Sequence, residues 1–300
     1  MNRTGRAETR PVLRSFGQAD SMTVKDILVA FDGRPCAHAA LQAGVRLAGD
    51  FAAHLTGCAP RPPFAGFGRA ESVPGFALPT EVQEITARIA RDAREAAERA
   101  FRGAAGDVLP AERLHWLDLR GEADLALTKA ARHFDMTLIG TDSENGPGHG
   151  AEVHPDVIAL RSGRPVLVVP EGAPDCPLGR RVVVAWDGKR AAARTVGAAV
   201  RLLGSLTRAT ILTVGPPDPA RDGWGVQLCT NLRRHGIDAE HVTVPVQRSV
   251  GRTLLKACAD RDADLLIMGA YEHSKFSEDI LGGTTNEILA HLECPVFLAH

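Results

Sequence analysis

Ile27-Leu28-Val29-Ala30-Phe31-Asp32-Gly33 and Val182-Val183-Val184-Ala185-Trp186-Asp187-Gly188 carry one pattern twice: an apolar run, an aromatic residue, then Asp-Gly. A second pair of matching segments follows. Met136-Thr137-Leu138-Ile139-Gly140 leads to Arg164-Pro165-Val166-Leu167-Val168-Val169, and Leu265-Leu266-Ile267-Met268-Gly269 leads to Cys294-Pro295-Val296-Phe297-Leu298. A repeat this long is a duplicated domain and not a solenoid unit. An apolar run without alternation is what a parallel strand needs when both its faces are covered.

Between the marks, strand-like runs alternate with helix-like ones. Strands are expected at 26–31, 52–58, 113–119, 136–140 and 165–169, then at 181–186, 209–214, 239–246, 264–269 and 295–299. Helices are expected at 34–49, 80–102, 122–133 and 153–162, then at 190–204, 220–235, 250–261 and 278–292. In the long second helix Thr80 reads as the cap, with Val82, Ile85, Ile89, Ala93, Ala96 and Ala100 as the apolar stripe. Alternation of this kind means α/β architecture with right-handed crossovers. The chain therefore reads as two tandem doubly wound five-stranded parallel sheets. The expected division is a disordered tail over 1–24, a first domain over 25–170, a linker over 171–179 and a second domain over 180–300. Met22 is a possible initiator. The Pro- and Gly-rich stretch 60–79 reads as a loop without periodicity.

Composition excludes several classes of function. The net charge of −1 and the single Tyr argue against a nucleic-acid surface. No apolar run approaches the ~20 residues that span a bilayer, and the Arg-bearing N-terminus lacks the apolar core of a secretory signal. The cysteines Cys36, Cys58, Cys176, Cys229, Cys258 and Cys294 include no Cys-x-x-Cys pair. They read as small buried hydrophobes in a reducing cytosol. His149 and His154 lack a third ligand at metal spacing and read as surface histidines. Gly66-Phe67-Gly68 lies in a Pro-rich loop, outside the strand–helix context a dinucleotide fingerprint needs. The mixed charges from Arg88 to Arg99 read as a solvated helix face. No residue set reads as catalytic.

Ligands of doubly wound sheets sit beyond the carboxyl ends of the strands, at the switch in strand order. In the second half that edge carries Asp187-Gly188 and the segment Met268-Gly269-Ala270-Tyr271-Glu272, continuing to Leu281-Gly282-Gly283-Thr284-Thr285. Glycines opening a helix let the backbone approach a phosphate, and the free N–H groups favour the anion. An ordinary helix start capped by Thr284 or Thr285 is the other reading. Asp187 reads equally as a turn residue bonding its own loop backbone.

The order strand-Asp, Met-Gly-Ala-Tyr, Leu-Gly-Gly-Thr-Thr and Cys-Pro-Val-Phe-Leu resembles the universal stress protein family, in a tandem, Rossmann-like form reaching from Lys25 to the C-terminus. The resemblance implies a cytoplasmic, non-catalytic stress-response module that binds ATP or another adenine nucleotide. By the same resemblance Asp187 would contact ribose or base, and Ala185, Val214 and Met268 would line the adenine slot. Gly269, Gly282, Gly283 and Thr284 would stand at the phosphates. Two residues depart from the family's pattern of Gly, two residues, Gly, nine residues, Gly, then Ser or Thr. Glu272 stands at the second glycine, and Gly283 stands at the Ser or Thr, leaving Thr284 one position late. In the first half Ser143 and Val153 replace the second and third glycines, so that site reads as degenerate. The alternatives are a nucleotide-independent dimerisation or scaffold protein, built on apolar last strands at sheet edges, and a slow ATP hydrolase. Those strands also allow the two halves to pair within one chain as a pseudo-dimer.

A carboxylate facing phosphates in a partly desolvated cleft costs on the order of 1 kcal/mol or more. Glu272→Gly is therefore expected to tighten adenine-nucleotide binding severalfold in a calorimetric titration. Unchanged affinity removes Glu272 as the obstruction.

Overall fold

The computed structural model describes residues 23–60, 79–142, 153–173, 176–270 and 283–300. The expected tail, most of the 60–79 loop, Ser143, His149, Glu272 and Gly282 lie outside the described residues. The first half contributes strands β1 (Asp26–Ala30), β2 (His54–Cys58), β3 (Leu114–Leu117), β4 (Met136–Thr141) and β5 (Val166–Pro170). Its helices are α1 (Pro35–Phe51), α2 (Thr80–Gly106), α3 (Ala123–Ala131) and α4 (Pro155–Ser162). The second half repeats them: β6 (Val182–Ala185), β7 (Arg208–Val214), β8 (Asp238–Val244), β9 (Leu265–Gly269) and β10 (Val296–Ala299), with α5 (Arg190–Leu202), α6 (Pro219–Arg234), α7 (Val250–Ala259) and α8 (Gly283–Leu289).

Each half is doubly wound, and the two make one ten-stranded sheet in the order β3-β2-β1-β4-β5-β10-β9-β6-β7-β8. Eight neighbouring pairs are parallel; only the seam between the halves is antiparallel. There Val296 stands opposite Val168, Phe297 opposite Leu167 and Leu298 opposite Val166. The last strand of each half is thus an edge only within its own half. Pairing within the chain satisfies the N–H and C=O groups that an open edge would leave exposed.

The alternation of side chains along the strands sorts the core into two layers. On one face Val29, Phe31, Leu167, Val184 and Phe297 pack with α1, α2, α5 and α6. On the other Leu28, Val168, Val183, Met268 and Leu298 pack with α3, α4, α7 and α8. Both layers run across the seam. Ile27, Leu28 and Val29 have no exposed surface, as a strand covered on both faces requires.

Local chemistry sets the helix ends. Pro35 and Pro155 open α1 and α4, where their missing N–H groups would have no partner in any case. Glu122 caps α3 by accepting from the Asp124 and Leu125 N–H groups at 3.1 and 2.8 Å, and the Ser249 hydroxyl caps α7 by accepting from Arg252 N–H at 3.1 Å. The long helix α2 corrects the sequence reading. Pro79 occupies its cap position and Thr80 is its first helical residue, because the chain enters the helix one residue earlier than expected. Its buried residues are Ala97, Phe101 and Ala105, while Ala93, Ala96 and Ala100 face solvent. A run of alanines places a stripe poorly; the one aromatic ring fixes which side turns inward. The exposed side carries the Arg102–Glu98 pair at 2.9 Å and the Arg99–Glu95 pair at 3.8 Å, as the mixed charges imply.

Two aspartates at equivalent positions hold the start of each half. Asp135, just before β4, accepts from Lys25 and Asp26 N–H at 2.8 and 3.0 Å. Asp264, just before β9, accepts from Gly179, Arg180 and Arg181 N–H at 2.8, 3.0 and 2.9 Å, and is 5% exposed. Removing a buried acceptor leaves its donors unsatisfied, at about 1–3 kcal/mol for each group. Asp264→Ala is expected to lose about 3 kcal/mol or more of unfolding free energy in urea denaturation, more than Asp135→Ala, whose carboxylate is partly solvated.

Candidate functional site

The switch in strand order falls between β6 and β9 in the second half and between β1 and β4 in the first. At the first of these edges β6 ends in Ala185, Trp186 N–H bonds Leu212 C=O at 2.9 Å, and the chain turns through Asp187-Gly188 into α5. Gly188 has φ +78°, a conformation that glycine adopts without strain, and a Cβ there would stand 2.6 Å from the Trp224 ring. The Asp187 carboxylate accepts from Lys189 N–H at 3.0 Å, and the Lys189 ammonium lies 4.0 Å from its other oxygen.

The first half builds the same turn. Gly33 has φ +84°, and Asp32 accepts from the Arg34 backbone at 3.1 Å and from its guanidinium at 2.7 Å. The turn-residue reading therefore holds for both aspartates. They differ in access: the Asp32 side chain is 14% exposed, that of Asp187 52%. The carboxylate of the later copy is the more exposed of the two.

Ala185, Val214 and Met268 converge. Met268 belongs to the apolar layer over α7 and α8, and Ala185 and Val214 pack against that layer while keeping some exposed surface. The three thus lie on one face of the sheet at the carboxyl ends of β6, β7 and β9, where the Asp187 turn follows β6. Gly269 lies at the end of β9, where a Cβ would meet Ala191 Cβ and Ala192 N at 2.8 Å. Gly140 stands in the same relation to the Cys36 backbone. Both glycines admit the first turn of the first helix of their half, so the close approach that Gly269 permits is to α5.

Gly283 is exposed, with nothing within 4 Å of where its Cβ would lie. Thr284 is half-buried and Thr285 buried, and both lie inside α8, so neither is its cap. The helix is held from behind, where Glu287 accepts from the Ser249 hydroxyl at 2.7 and 2.6 Å. Arg252 donates to His291 Nε2 at 2.8 Å, which assigns the His291 proton to Nδ1 and its bond to Glu287 C=O at 3.0 Å.

Sequence reasoning missed two features of these edges. Trp224, 51% exposed, lies against Gly188; the following Gly225, where a Cβ would meet the His241 ring, was the available signal of a close approach. His154 is also more than a surface histidine. Its backbone N–H and Nδ1 bond the Asp124 carboxylate at 2.7 and 2.6 Å, at the ligand edge of the first half. Burial raises the Asp124 carboxyl above its ordinary range, and the bonds from His154 oppose that rise. Among the described residues no cluster of three or more His, Cys, Asp or Glu side chains is placed to hold a metal ion.

Residues 225–300 match the model of the universal stress protein family. No curated protein matches the chain. A universal stress protein from Archaeoglobus fulgidus shares the fold at a TM-score of 0.65, with 14% identity over 93% of this chain and 97% of that one. A functionally unknown protein from Pseudomonas aeruginosa matches at a TM-score of 0.52, with 14% identity over 93% of this chain and 94% of that one. A shorter universal stress protein, solved in complex with cAMP, matches at 23% identity over 40% of this chain and 96% of its own length, with a TM-score of 0.35.

The glycines at the site separate by mutation. Gly269→Ala forces a methyl group onto the α5 backbone and is expected to lower stability by about 1–3 kcal/mol with no ligand present. Gly283→Ala meets open space and is expected to leave the thermal midpoint nearly unchanged. Equal effects of the two substitutions would contradict this assignment.

Proposed function

We propose that this chain, whose residues 225–300 match the model of the universal stress protein family, is a tandem, non-catalytic member whose second domain, 180–300, binds an adenine nucleotide. The first domain, 25–170, keeps the fold and the Asp32 turn as a partner for the seam and binds no nucleotide. The observation that carries this reading is the placing of Ala185, Val214 and Met268 on one face, at the carboxyl ends of their strands, with an exposed Asp187 carboxylate at the switch point of β6 and β9. An apolar face suits a base, and a carboxylate at its rim accepts hydrogen bonds from ribose hydroxyls or an exocyclic amine. Gly269, Gly282, Gly283 and Thr284 are the residues assigned to the phosphate end.

The scaffold reading has an observation of its own. The seam between β5 and β10 is formed within the chain, so the element available for association is already used. A nucleotide-free role would then rest on this internal pseudo-dimer.

A ligand bound only by the folded form stabilises it by about 2.7 kcal/mol at a hundredfold excess over Kd. Millimolar ATP, ADP, AMP or cAMP is expected to raise the thermal midpoint and to change the fluorescence of Trp224 beside the turn. Asp187→Ala and Ala185→Phe are expected to abolish both responses. No shift with any of the four nucleotides would remove the nucleotide reading and leave the scaffold.

A further inference from the structure

Two imidazoles face each other across the outermost strand pair of the first half. His54 opens β2, and His115 is the second residue of β3, the terminal strand of the sheet. His115 stands opposite Thr56, so it lies one diagonal step from His54 on the same face. Both side chains are exposed. His54 Nδ1 lies 3.0 Å from His115 Nε2, with the ring centroids 5.2 Å apart and the planes 21° from parallel. Asp26 stands opposite His54 on β1.

The second half shows that the fold does not call for this pair. Leu55 and Ala209 are equivalent, because they pair with Ile27 and Val182 at the start of the repeated strand. Leu114 and Ala239 are equivalent in turn, because they pair with Leu55 and Ala209. Arg208 and Glu240 therefore stand where His54 and His115 do. There Arg208 meets Asp238 at 3.5 Å, and Glu240 accepts from the Thr210 hydroxyl at 3.0 Å. One copy fills the two positions with opposite charges, and the other fills them with two rings whose nitrogens can each offer an electron pair.

We propose that His54 and His115 are the two protein ligands of a site for one divalent transition-metal ion: nickel, copper or zinc. Metal–imidazole bonds are about 2.0–2.1 Å long, so two of them span about 2.9 Å at a right angle and about 3.3 Å at the tetrahedral angle. The 3.0 Å between the facing nitrogens falls within that span. Without metal, the N–H of one ring donates to the bare nitrogen of the other. With metal, both facing nitrogens give electron pairs to the ion, and the ring that donated carries its proton on its other nitrogen. No net proton is gained or lost. Both rings are exposed, so each can turn to aim its electron pair at the ion. Imidazole suits nickel, copper and zinc, whereas magnesium and calcium prefer oxygen. Among the described residues no third His, Cys, Asp or Glu completes a cluster here, so water fills the remaining positions. The bound ion ties the terminal strand β3 to β2. The inference does not rest on the nucleotide reading.

The test titrates nickel chloride, and separately zinc chloride, into the full reduced chain in a calorimeter, in a buffer that does not bind metals. Binding of one ion per chain is expected, reversed by EDTA, and magnesium chloride is expected to give no binding heat. His54→Ala and His115→Ala should each weaken binding by about tenfold or more, at least the loss that follows when a metal site's outer-shell partner is removed. His133→Ala, at another exposed histidine of the first half, should leave binding unchanged. If either ligand variant folds poorly, nuclear magnetic resonance of the wild-type chain decides: paramagnetic nickel should broaden the ring signals of His54 and His115 before those of any other histidine. Failure of both nickel and zinc to bind would overturn the proposal. So would binding that survives both ligand substitutions, or broadening centred on other histidines.

Discussion

Val166–Val168 and Val296–Leu298 run antiparallel through the middle of the sheet, and every other strand takes its place outward from them. Each of these strands lies last in its half and would otherwise present an apolar ladder of unpaired backbone groups. Joining them removes both edges at once and makes one hydrophobic layer on each face out of what would have been two. Phe297 and Leu167, directly opposite each other, have no exposed surface, so the seam is core in the ordinary sense. The two halves are held by burial as well as by the chain that links them.

This seam also fixes where chemistry can occur. The switch points between β1 and β4 and between β6 and β9 lie at the carboxyl edge of their own half, and the antiparallel seam puts those two edges on opposite sides of the sheet. The two switch points begin alike, with an aspartate, a left-handed glycine and a helix start. They diverge in how the aspartate is held. Arg34 closes over Asp32 with backbone and guanidinium together, whereas Lys189 reaches Asp187 at longer range and leaves it exposed.

Much of this was legible in the sequence. The repeated apolar runs gave ten strands, because strands buried on both faces show no alternation, and the helices between them gave parallel pairing. Ala185, Val214 and Met268 were expected together and do share one face, since each ends or nearly ends a strand at the same edge. The α2 stripe was misread because alanines on opposite sides of a helix look alike in sequence, and only packing decides which of them meet Phe101. Gly269 carried a phosphate reading, and the structure adds that the first turn of α5 is pressed against the same glycine. Glycine at a strand end signals a close approach without saying to what.

The sequence by itself determined the two α/β units, their order of elements and the pairs of residues that recur in both, because periodicity and turn chemistry are local and survive in any context. Tertiary structure decided that the units share one sheet through β5 and β10, a pairing the sequence only allowed, and that Asp264 fastens three backbone N–H groups of the linker and β6 entry. These contacts join residues far apart along the chain, and what brings them together is the burial of apolar strand and helix faces, a force without direction that no local pattern records.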